Sequence, residues 1–94
     1  MTHNAAFYFA NLGADVSRCV TAAREGNENR YNDSLDCAYS TLRHLRKAKH
    51  PEAYEEALLM LRGLAFARRT PEALLSYQSA LNSLIAPFSA RLIS

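Results

Sequence analysis

The sequence predicts an all-α protein, an antiparallel four-helix bundle. Three observations carry this. Apolar residues recur at three- and four-residue steps in four successive segments. The strict apolar/polar alternation of β-strands is missing. The segments are separated by only one to three residues, around Gly26, His50 and Thr70, so consecutive helices must double back on each other. The 94 residues make one domain, 1–94, and 49% hydrophobic content is enough for a modest core.

The first helix is predicted over about 4–25. Phe9, Leu12, Val16, Cys19, Val20 and Ala23 form one stripe, which Phe7 and Tyr8 widen at its start. Gly26 ends it, as the residue best suited to a left-handed C′ position. The second helix, 28–49, is capped by Asn27 and opens with Glu28, a favourable charge at a helix N-terminus. Tyr31, Leu35, Ala38, Leu42 and Leu45 step by four and three, a bundle seam. His50 precedes Pro51 and is pushed out of the α region, so the helix must stop near Lys49.

The third helix, 51–69, is the most unusual segment. Pro51 sits in its first turn, where a missing N–H costs nothing. Glu52, Glu55 and Glu56 lie at its positive end and Arg68 and Arg69 at its negative end. Between them it is apolar nearly all round. Tyr54, Leu58, Leu61 and Ala65 form one face; Ala57, Met60, Leu64 and Ala67 a second; Leu59 and Phe66 begin a third. Such a helix must be covered on more than one flank, either at the centre of the bundle or against another chain. Gly63 suits close approach of a neighbouring helix.

The fourth helix, 71–86, has Thr70 as N-cap, with Pro71 and Glu72 behind it. Leu74, Tyr77, Leu81, Leu84, Ile85, Phe88 and Leu92 continue its stripe. Pro87 removes a hydrogen bond, so a short kinked C-terminal piece is expected beyond it.

Cys19 and Cys37 would be offset by about 4.5 Å along the axes of the first hairpin, in addition to an interaxial gap of about 8–10 Å. That exceeds the reach of a disulfide. Two buried, reduced thiols are expected, in keeping with a cytoplasmic location. Residues 1–16 show neither a basic n-region nor a long apolar core, and no apolar run is long enough to span a membrane.

Chemistry is sparse. A net charge of +2 does not favour nucleic acid as a partner. The basic run Arg43–His50 places Arg43, Arg46, Lys47 and His50 on one helical face. The simplest reading is a solvated helix end; the alternative is a phosphate or RNA contact. Arg43 and His50 also fit the Arg-x4–6-His spacing of HEPN ribonucleases, where a guanidinium meets phosphate charge and an imidazole moves a proton. A chain with this many arginines meets the spacing by chance about once, and His44 stands where that group has Asn or Asp. No residue is therefore assigned to catalysis. No Glu-x-x-His pair, glycine-rich phosphate loop or Cys-x-x-Cys is present, so neither a metal nor a cofactor is expected. Asp33 and Asp36 read as solvated acids near a helix start. Asp15 is expected to pair with Arg18 one turn on. The tyrosines, Tyr8, Tyr31, Tyr39, Tyr54 and Tyr77, suit the edge of a core.

Residues 9–45, through Asn11-Leu12-Gly13, the Gly26 turn and the Ser34-Leu35 to Leu42 seam, resemble the first helical hairpin of a broad group of bacterial four-helix bundles. That group comprises the small partners of minimal nucleotidyltransferases and the related bundles encoded in intervening sequences of 23S ribosomal RNA genes. Residues 55–64, EEALLMLRGL, resemble the group's third helix; residues 75–94 do not extend the likeness. The resemblance implies a bundle that acts by binding, as an oligomer or beside a partner enzyme. The expected function is a non-enzymatic interaction or accessory protein, most simply a homodimer, that serves a protein partner. Its candidate contact surface is Leu59, Arg62, Phe66 and Phe88.

Overall fold

The computed structural model describes residues 4–93, with side chains through residue 85. It is a four-helix bundle: α1 (Ala5–Arg24), α2 (Glu28–Lys47), α3 (Pro51–Ala67) and α4 (Pro71–Ile93). Each connection has three residues, so every helix runs against its predecessor.

Local chemistry sets each helix end. Asn4 caps α1 by accepting from the Phe7 N–H at 2.9 Å, and Asn27 caps α2 by accepting from the Arg30 N–H at 3.0 Å. Thr70 Oγ1 does the same for α4, from the Ala73 N–H at 3.1 Å. At the end of α1 the Asn27 N–H donates to the Ala22 carbonyl and the Gly26 N–H to the Ala23 carbonyl. This Schellman closure needs a left-handed residue, and Gly26 supplies it at φ 70°. The α2–α3 turn needs one too, and there Lys49 takes φ 57°. That conformation leaves the helix, so α2 ends at Lys47, short of the expected 49.

The third connection begins earlier than expected as well, with Arg68 as the C-cap of α3. In the other direction, α4 does not stop at residue 86. It continues through Pro87 to Ile93 as one helix, so the loss of the proline's own N–H bond does not end it. The expectations for Phe88 and Leu92 lie outside the described side chains.

The helices pack as a flattened ring, with principal dimensions of 37 × 24 × 16 Å. α1 touches all three others and packs most extensively against α2; α2 and α4 do not meet among the described residues. α1 and α3 therefore face each other across the short diagonal. Thus α1, not the greasier α3, is the most enclosed helix. Phe9, Leu12, Val16, Cys19 and Val20 are completely buried, joined by Tyr31, Ala38, Leu45, Ala57 and Leu64. Within the expected stripes, Ala23, Leu35, Tyr77, Leu84 and Ile85 are half-buried.

Two glycines serve packing between helices. A Cβ on Gly13 of α1 would lie 2.6 Å from Ile85 Cδ1 on α4, and one on Gly63 of α3 would lie 3.0 Å from Tyr77 Cε2. Tyr77 lies over Gly63 and donates its hydroxyl to the Met60 carbonyl at 2.5 Å. Burial pushes that phenol well above its usual range, and does the same more mildly to Tyr31.

Several expectations need correction. Cys19 is buried, but Cys37 is exposed on α2, because it lies off the Leu35–Ala38–Leu42 seam. Phe7 is largely exposed because Ala5, Ala6 and Phe9 take the inward positions of the first turns. Tyr39 is exposed and Tyr31 buried, whereas Tyr8, Tyr54 and Tyr77 do occupy the core edge. Ala65 is exposed, since it lies beyond the face closed by Leu58 and Leu61.

Candidate interaction surface on the third helix

The three faces read in α3 fare differently. Ala57, Met60, Leu64 and Ala67 are buried, together with Ala53 and Leu61. The third face is not covered: Leu59 is 58% exposed and Phe66 67% exposed. They stand seven residues, two turns, apart and so on one side of the helix. Glu52, Glu55 and Arg62 complete the same stripe, all exposed. Arg69, just past the C-cap, lays its guanidinium 5.1 Å from the Phe66 ring centroid, which puts a positive charge on this side. Glu55, Leu58, Leu59 and Arg62 surround an open depression of about 260 Å³. The outer side of α3 is thus mixed: acidic at its start, apolar and basic toward its end.

Arg68 faces the other way. Its Nη2 donates to both carboxylate oxygens of Glu28, 2.8 Å to Oε2, and its guanidinium lies 3.9 Å over the Tyr31 ring. It ties the end of α3 to the start of α2.

The basic stripe is split. Arg43, Arg46 and Lys47 are exposed on the last turns of α2 and make no ion pair among the described residues. His50 is not on that face. It stands past the end of α2 as the N-cap of α3, where Nδ1 accepts from the Ala53 N–H at 3.3 Å. The signal for this was local: a residue directly before a Pro at the first helical position is the cap. His44 stacks on Tyr8, with centroids 5.4 Å apart and rings 10° from parallel. Asp33 and Asp36 are exposed.

Asp15 is the buried charge of the bundle. It is ion-paired with Arg18, as its spacing predicts, and accepts from the Thr41 hydroxyl of α2 at 3.1 Å. Thr41 also lies 3.0 Å from the Cys37 carbonyl, so one proton serves two acceptors. Its partners make Asp15 a structural tie between α1 and α2. No described helix is long and apolar enough to cross a membrane. No family model, curated protein or solved structure matches the chain.

Proposed function

We propose that this protein is a non-enzymatic helical accessory module that works by docking, and that it associates with itself through the outer face of α3. The observation that carries this is the exposure of Leu59 and Phe66 on one side of a helix whose opposite face is buried. Isolated exposed apolar residues need no explanation, but two large ones two turns apart, with an open depression beside the first, form a contact strip. The likeness of residues 9–45 to bundles that act beside a partner enzyme points the same way, toward a protein ligand for the assembled module. The strip is small, so the association is weak and concentration-dependent.

Light scattering coupled to gel filtration tests the reading. Wild type at high concentration should exceed the 10.5 kDa of one chain, and Leu59→Glu or Phe66→Glu should return it to that mass. A wild type that stays monomeric at millimolar concentration removes the proposal.

A second reading rests on Arg43, Arg46 and Lys47, exposed and without an ion pair among the described residues: contact with RNA phosphates. It requires retention on labelled RNA at low salt, weakened by Arg46→Ala/Lys47→Ala and by added salt. Cleavage lost in Arg43→Ala and His50→Asn would extend it to catalysis, because Asn keeps the cap that His50 provides.

A further inference from the structure

Residues 52, 55, 59, 62, 66 and 69 follow the alternating three- and four-residue spacing of a coiled-coil seam. The first five are Glu, Glu, Leu, Arg and Phe of α3; the sixth, Arg69, lies just past the helix end and is kept on the same side by its contact with Phe66. All six are exposed. The four residues around the depression, Glu55, Leu58, Leu59 and Arg62, stand in the i, i+3, i+4, i+7 relation of a hole that receives one side chain from a facing helix. Glu52, Glu55 and Arg62 make no ion pair within the chain among the described residues.

The order of charges along this seam selects the occupant. A second copy laid parallel and in register would set Glu52 on Glu52, Glu55 on Glu55, Arg62 on Arg62 and Arg69 on Arg69. Every charged position would then be repulsive. Laid antiparallel, the same seam pairs Glu52 with Arg69, Glu55 with Phe66 and Leu59 with Arg62, each twice by symmetry. The aliphatic stem of Arg62 then crosses Leu59 over the depression, and its guanidinium is carried toward the Glu55 on the rim. The two Leu59 side chains fall about 4.5 Å apart along the axis, in adjacent layers. All six positions are used only in this register; a shift of one heptad leaves one end of the seam unmatched.

Resting on the reading that α3 is the docking face, we infer that two copies of this chain pair through α3 as an antiparallel, two-fold seam. Glu52 of each copy lies opposite Arg69 of the other, and Leu59 opposite Arg62. Leu59 against the Arg62 stem and Phe66 against the Glu55 stem supply the apolar contact, and the charges set direction and register, since exposed ion pairs add little strength.

Cross-linking decides the geometry. In a Cys37→Ser background, Glu52→Cys and Arg69→Cys chains are prepared singly and treated with a bis-maleimide of about 8 Å span, matched to the interaxial gap. In the antiparallel pair each variant alone places its thiols about 25 Å apart and stays uncross-linked; an equal mixture of the two gives a covalent dimer. Independently, Glu52→Arg should raise the dimer dissociation constant by about threefold to tenfold, the effect of two end pairs, and Glu52→Arg/Arg69→Glu should restore it. Circular dichroism checks that each variant remains helical. Self-cross-linking of Glu52→Cys alone overturns the antiparallel seam while leaving self-association standing. So does a dimeric mass with no cross-link in the mixture, or a charge swap that fails to rescue. A monomeric wild type removes this inference and the docking reading together.

Discussion

The Ile85 side chain of α4 fills the space over Gly13 of α1, close enough that a methyl group at position 13 would overlap its Cδ1 and crowd its Cγ1 and Cγ2. Glycine in mid-helix costs about 1 kcal/mol relative to alanine. Overpacking at a helix crossing costs about 1–3 kcal/mol. Gly13→Ala should therefore destabilise the bundle despite its better propensity, lowering the urea midpoint. Ile85→Val in the same chain should recover part of the loss. A Gly13→Ala protein more stable than wild type would show that the two helices do not approach so closely.

Lys49 holds a left-handed φ of 57° in the α2–α3 turn. A side chain there costs about 1–2 kcal/mol that glycine avoids, offset in part by the greater freedom of glycine in the unfolded chain. Lys49→Gly should raise stability by about 0.5–1 kcal/mol. Lys49→Val should lower it by at least that much. Thermal and urea unfolding of the two variants measure both signs.

Burial pushes the Cys19 thiol up to about 11, with the nearby Asp15 charge adding to the effect. An unfolded thiol titrates near 9.0. Between these values the unfolded state loses its proton first. The contribution of Cys19 to stability is thus complete below pH 9 and falls as pH rises toward 11. Each full pH unit inside that window removes up to about 1.4 kcal/mol. Cys19→Ala should flatten this part of the stability–pH curve. In the native protein near pH 8, a thiol reagent should label exposed Cys37 promptly and Cys19 only after denaturation.

Asp15 joins α1 to α2 through Thr41, and its charge is balanced by Arg18. Asp15→Ala should cost about 1–3 kcal/mol, because it removes the acceptor from a part-buried hydroxyl and leaves Arg18 without its carboxylate. Thr41→Val should cost less. The double variant should cost less than the two singles summed, and strict additivity would exclude the Asp15–Thr41 bond.

Much of the fold was legible because its signals are local. Asn27, Thr70, Pro51 and Gly26 act on backbone groups within a few residues, so their types and spacing suffice to place helix ends. The Asp15–Arg18 pair was legible for the same reason. Long-range facts were not. Nothing in the periodicity of any helix says that α1 packs most extensively against α2 and is the most enclosed, that Thr41 reaches Asp15, or that Ile85 takes the space left by Gly13. The contact strip was half legible. The apolar excess of α3 marked Leu59 and Phe66, but which of its faces the bundle covers had to be seen before this one stood out. His50 does not share the face of Arg43, because Pro51 directly after it takes it out of α2 and makes it the cap of α3.

Both α1 and α3 border the other three helices, but α1 is the more deeply enclosed and acts as the spine. The α2 and α4 leaves on either side of it share no border, so a disturbance that lifts one need not loosen its opposite. Amide protons along the spine should accordingly be the last to exchange with heavy water, outlasting those of every leaf.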